Sequence, residues 1–109
     1  LNKDNCKIDW SQEATSIYNK IRGLNPFPAA WTNLHNGEQK TTAKIFDCEL
    51  DLTEHNEPNG KIKQTKTQLW VYVKKGIIKV NEIQLENKKR LTVKALSNGY
   101  QFHNNSIMV

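Results

Sequence analysis

Near the start of the chain, apolar residues recur every three or four positions. Ala14, Ile17, Tyr18, Ile21 and Leu24 share one side of a helical wheel, which predicts a helix from Ile8 to Leu24 with that face packed on the rest of the protein. Asp9 or Ser11 is placed to cap its first turn, Glu13 lies near the positive end of its dipole, and Lys20 and Arg22 lie near the negative end. Gly23 reads as the left-handed residue that closes it. In Asn25-Pro26-Phe27-Pro28, two prolines one residue apart forbid further helix and predict an extended strap leading to Trp31.

Beyond the strap the period changes to two. Phe46, Cys48, Leu50 and Leu52 alternate with Ile45, Asp47, Glu49 and Asp51, which predicts a strand with one face inward, closed by a polar loop from Thr53 to Gly60. Ile62 opens a short strand. Leu69 to Val73, with Trp70 and Tyr72 interleaved, is apolar on both faces and predicts a central strand, after which Lys75-Gly76 turns the chain back. Ile78 and Val80 keep one phase and Ile83 and Leu85 the other, so the next strand needs a bulge or bend near Asn81. Glu86 to Arg90 is a charged loop. Thr92 is placed to cap a short helix through Leu96 that Gly99 ends, and from Asn104 onward the chain reads as a frayed tail. Short strands, turns and one flanking helix, with no internal repeat, predict a mainly β fold: a small OB-like open barrel with an N-terminal and a short C-terminal helix.

Composition agrees with one small domain. Of 109 residues, 37% are hydrophobic, and a mean hydropathy of -0.74 implies a thin core under a well-solvated surface. Boundaries are expected at 1–7 for a linker, 8–102 for the domain and 103–109 for the tail. The first residue is Leu1 rather than Met, so the chain reads as a fragment. It has no apolar run long enough to span a membrane and no signal-peptide layout. Cys6 and Cys48 offer neither a disulfide framework nor a zinc set, which fits a reducing cytoplasm.

The charge changes the picture more. Sixteen Lys and Arg against eleven Asp and Glu leave +5, the profile of a protein that meets polyanions, although a merely soluble basic protein has it too. Only Arg22 and Arg90 carry the guanidinium fork that reads guanine edges, so contact with a phosphate backbone is expected rather than base reading. Lys88, Lys89 and Arg90 form the densest cationic run, on a loop where they can straddle such a backbone. Lys61, Lys63 and Lys66 alternate along a strand, with Lys74, Lys75 and Lys79 flanking the next turn. A solvated surface is the plain alternative for each. Trp10, Phe27, Trp31, Trp70 and Tyr72 are expected in the core more than stacked on bases. His35, His55 and His103 have no ligand spacing, so no metal is expected, and no residue set carries the neighbours of a catalytic site.

The stretch Ile8-Asp9-Trp10-Ser11, then Ile21-Arg22-Gly23-Leu24-Asn25-Pro26-Phe27-Pro28-Ala29-Ala30-Trp31-Thr32, resembles the opening of the C-terminal domain of methionyl-tRNA formyltransferases. Gly76-Ile77-Ile78, Glu82-Ile83-Gln84-Leu85 and Lys88-Lys89-Arg90-Leu91 are similar to that family's later signature, with Asn87 for its usual Gly and Leu91 for its usual Met. Leu preserves the volume of Met, and Asn tolerates a left-handed turn better than other non-glycine residues.

The resemblance covers about Ile8 to Phe102. It implies an OB-like barrel that holds initiator methionyl-tRNA, with Arg22 on the basic surface unless it merely complements the helix dipole. It implies a partner too: an N-terminal catalytic domain, absent here, that binds 10-formyltetrahydrofolate and carries the catalytic Asn, His and Asp. No cofactor and no formyl transfer are expected of these residues alone. Two other readings stay open: a structural companion domain in a related formyltransferase acting on a small amine or nucleotide sugar, and a free-standing OB module for single-stranded nucleic acid.

Overall fold

The structure, a computed structural model, describes residues 2–109; Leu1, on which the fragment reading rests, lies outside them. A short helix α1 (Lys3–Cys6) precedes α2 (Ala14–Leu24). Then come β1 (Ala30–Asn36), β2 (Gln39–Asp51), β3 (Ile62–Gln64), β4 (Leu69–Val73), β5 (Gly76–Leu85), β6 (Leu91–Thr92), α3 (Val93–Leu96) and β7 (Ile107–Met108). All described strand pairings are antiparallel, in the spatial order β3-β4-β5-β2-β1-β7 with β6 on β5. Lys61 pairs with Ile107 across the remaining gap, so the sheet curls into a nearly closed barrel. The mainly β, OB-like expectation holds.

The barrel forms because alternate residues of its strands are apolar. Leu69, Val71 and Val73 of β4 face inward opposite Val80, Ile78 and Gly76 of β5, and Ile45 of β2 pairs with Ile83. Ala14, Ile17 and Ile21 of α2 bury their side chains in the same cluster, each isoleucine contributing roughly 1.5–3 kcal/mol of burial. The phase change in β5 is met as expected: Phe46 on β2 and then Asn81 on β5 each add an unpaired residue, so Ile45↔Ile83 passes through Asp47↔Glu82 to Cys48↔Val80. Those two irregularities let Ile45 and Cys48 both point inward.

Several local expectations give way to tertiary contacts. The helix starts at Ala14, not Ile8, because Ile8 N–H donates to Trp31 O (2.8 Å) and Ala14 N–H donates to Lys74 O (2.9 Å). Bonds from the sheet thus replace a side-chain cap, and Asp9 instead accepts from Ser11 N and Oγ. Gly23 stays helical; the helix ends at Asn25, whose extended backbone suits the residue before a proline. The expected extended strap is a compact turn over residues 25–28, closed by Ala29 N–H to Leu24 O (2.9 Å), with cis bonds at Asn25–Pro26 and Phe27–Pro28. That turn reverses the chain from α2 into β1, which period-two reading overlooked together with the first half of β2.

On β4 only Leu69, Val71 and Val73 are buried; Trp70 and Tyr72 are half-buried on the outer face. Leu52, assigned inward, is 62% exposed because β2 ends one residue earlier. Thr92 caps α3 through Ala95 N–H as expected. Neither end behaves as linker or frayed tail. Cys6 is buried and Lys7 pairs with Trp31, while Met108 is buried and pairs with Leu34, because the barrel needs β7 to close it.

Candidate nucleic-acid interface

The cations named from the sequence are spread over several parts of the barrel. On the outer face of the barrel, Lys63 of β3, Trp70 of β4 and Lys79 of β5 are cross-strand neighbours. Both ammonium groups sit over the indole ring, at 5.2 and 4.6 Å from its centre. This cluster is charge-balanced on the β2 side: Lys79 pairs with Asp51 (2.9 Å), and Asn81 and Gln68 tie Glu49 into a network that also reaches Asp47. Two donated hydrogen bonds from Thr53, reinforced by Lys79, hold the Asp51 carboxyl well below the usual carboxylate range.

Around the β4–β5 hairpin, Lys74 is exposed and Lys75 pairs with Glu13. On β3's approach, Lys61 pairs with Glu57, and Lys66 is exposed in the following loop. Arg22, in the last turn of α2, lies 5.2 Å over the Tyr18 ring. Its charge also acts on Cys48, whose thiol is pushed up to about 12 by burial, with Asp47 and Glu49 adding to the rise and Arg22 opposing it.

The remaining cations lie at the β5–β6 turn. Asn87 adopts φ +62°, the left-handed geometry that asparagine tolerates, and Lys88 N–H closes the turn on Leu85 O (3.0 Å). Gln84 Nε2 donates to Lys88 O (2.9 Å), so the backbone of the cationic run is pinned. Its three cations then divide. Arg90 is paired with Glu82 and its guanidinium stacks 3.9 Å from the centre of the Phe46 ring, which makes it part of the wall. Lys88 and Lys89 are exposed and form no salt bridge among the described residues.

Beside this turn runs a groove of about 820 Å³, bounded by Lys3, the Phe27–Ala29 segment, Trp31, Lys44 and the stretch from Gln84 to Asn87. Trp31 donates its Nε1 hydrogen to Lys3 O (2.6 Å), and the ammonium groups of Lys3 and Lys7 lie 5.0 and 5.9 Å from its ring centre. Lys44 pairs across the sheet with Trp31. Lys3, Lys7 and Lys44 also lack salt-bridge partners among the described residues. Sequence reasoning passed over all three. The spacing of four between Lys3 and Lys7 and the outward phase of Lys44 against Ala43 and Ile45 were the available signals.

Of the cations without a salt bridge among the described residues, Lys3 and Lys44 line the groove, Lys7 lies over its Trp31, and Lys88 and Lys89 follow its Asn87, while Lys20, Arg22, Lys40, Lys63, Lys66, Lys74 and Lys94 are unpaired elsewhere; Lys61, Lys75, Lys79 and Arg90 are matched by carboxylates. Such a surface can take up phosphate oxygens and release their counterions. Among the described residues no group of His, Cys, Asp and Glu is arranged to hold a metal ion, and no helix is long and apolar enough to cross a membrane.

Residues 1–101 match the family described as formyl transferase, C-terminal domain. Over 102 residues the chain is 40% identical to a methionyl-tRNA formyltransferase of Flavobacterium johnsoniae, covering 94% of this chain and 32% of that protein. A methionyl-tRNA formyltransferase of Parabacteroides distasonis is 42% identical over 101 residues, 91% of this chain and 31% of its own length. One from Bacteroides thetaiotaomicron is 37% identical with the same coverage. The chain spans about a third of the length of these curated relatives.

Proposed function

The chain belongs to the formyl transferase C-terminal domain family, and from that premise we propose that it is the tRNA-holding domain of a cytoplasmic methionyl-tRNA formyltransferase. The intact enzyme passes the formyl group of 10-formyltetrahydrofolate to the amino group of methionyl initiator tRNA, and this domain grips the tRNA and orients its acceptor arm toward the catalytic domain. The observation that carries the reading is the set of unpaired lysines around the groove and the β5–β6 turn. In this reading the folate donor belongs to the catalytic domain.

Lysine ammonium groups on a convex barrel add affinity without reading sequence, because each neutralised phosphate frees condensed counterions. Affinity for tRNA is therefore expected to fall steeply with salt. Replacing Lys88 and Lys89 together by alanine removes two of these contacts and is expected to flatten the log–log salt slope by about 1.4–1.8, at roughly 0.7–0.9 per phosphate contact. Arg90, committed to Glu82 and Phe46, is left in place. Titration of initiator tRNA against both proteins at several salt concentrations checks this; an unchanged slope removes the turn from the interface, and no measurable binding by the wild type removes the reading.

A further inference from the structure

One wall of the groove carries a group that phosphate contacts leave unexplained. Phe27 is 86% exposed, the most exposed large hydrophobic residue described. Pro26 and Pro28 hold it at the tip of the turn after α2, and proline fixes φ, so the ring is presented with little backbone freedom to lose on binding. Trp31, Lys44, Gln84 and Asn87 line the same groove. We infer that this groove receives one unpaired nucleotide of an RNA, its base lying against Phe27 and its flanking phosphates on Lys3 and Lys44.

The assignment rests on the tRNA-holding reading and narrows it to a subsite. A protein partner fits less well, because the centres of protein–protein interfaces are depleted of lysine, whereas here Lys3 and Lys44 line the groove and Lys88 follows directly on Asn87. The one carboxylate among the lining residues, Glu86, accepts a hydrogen bond from Thr42 Oγ1 (2.8 Å), so it is held against the wall. An aromatic face with ammonium groups around it matches the two parts of a nucleotide: every base has a π-face, and its phosphates are anionic. At about 820 Å³ the groove lies within the roughly 300–1,000 Å³ range of small-molecule sites.

The test compares the 109-residue chain with its Phe27→Ala and Phe27→Trp variants. Each is titrated against a blunt RNA hairpin and against the same hairpin with a short single-stranded overhang carrying 2-aminopurine. Because Phe27 is exposed, both variants should fold, which circular dichroism confirms independently. The wild type should prefer the overhang and quench 2-aminopurine. Phe27→Ala should weaken overhang binding by about 5- to 150-fold, the span of base–aromatic stacking, and abolish the quenching; blunt-hairpin affinity should stay unchanged, and Phe27→Trp should restore both signals. If wild type and Phe27→Ala bind both RNAs alike, the subsite falls while the tRNA reading stands, and the ring then faces a protein surface instead. If the wild type binds neither hairpin nor whole tRNA at low salt, both readings fall.

Discussion

The indole Nε1 of Trp10 donates a 2.8 Å hydrogen bond to Thr32 Oγ1, and both residues are buried. This bond fastens the segment before α2 to the middle of β1, and Thr32 passes its own hydroxyl hydrogen to Asn33 O (2.9 Å). Thr32→Val keeps the shape but leaves the indole N–H unsatisfied, at an expected cost of about 1–3 kcal/mol. Trp10→Phe should cost about as much, and the double variant clearly less than the sum of the two. Chemical denaturation of the four proteins measures the coupling; strict additivity would show that the bond contributes nothing.

Closure of the barrel depends on a glycine. Gly60 sits at φ +88°, its N–H donates to Tyr72 O and its carbonyl accepts from Met108 N–H (2.8 Å), and a Cβ there would collide with Met108 O. Gly60→Ala is therefore expected to destabilise by at least about 2 kcal/mol, combining left-handed strain with loss of the β7 contact. Met108→Ala, which empties a buried site beside Leu34, should cost about 2–5 kcal/mol. Thermal melts check both, and a silent Met108→Ala would mean that β7 is dispensable.

Acid should withdraw the stabilisation that Asp51 contributes on the outer face. Its folded carboxyl is held low by Thr53 and Lys79, so its contribution is complete above the unfolded value near ~3.9 and is lost as pH falls through the lower folded value. Asp51→Asn should lower the melting temperature at neutral pH, and the gap to wild type should close progressively below about pH 4. A gap that does not vary with pH would assign the effect to shape alone.

Cys48 should be chemically quiet. With its thiol pushed up to about 12 by burial, only about one molecule in ten thousand carries thiolate at pH 8, and thiolate is the reactive form. Disulfide-exchange reagents should label Cys48 only at the rate at which the protein opens, and urea should accelerate labelling sharply. Prompt labelling under native conditions would mean that the β2–α2 seam breathes.

How far the sequence could be read follows from where local pattern and tertiary contact agree. The alternation around Cys48, the apolar run Leu69–Val73 and the phase slip near Asn81 are local signals, and they mark the barrel's central strands. The helix start has no such local mark, because the partner of Ala14 N–H is Lys74 O, sixty residues away in sequence. β1 and β7 were missed for a related reason. Thr32 and Asn36 are polar residues that face inward and are satisfied by Trp10, Tyr100, Gln101 and His103, so no apolar alternation announces the strand. Of the candidate interface, the run Lys88–Lys89 was legible as charge density. That Arg90 turns back onto Phe46, and that Lys3, Lys7 and Lys44 meet around Trp31, depends on strand register, which composition does not reveal.

Both ends of the described chain are clipped to the same strand: Lys7 pairs with Trp31, and Val109 exchanges its backbone hydrogen bonds with Asn33 two positions along. Mechanically, β1 is a hinge pin. A tug arriving through the N-terminal segment reaches the barrel at Trp31, on the wall of the groove, and at Cys6 and Ile8 in the core on either side of that pairing, so the groove wall and the core take the load together.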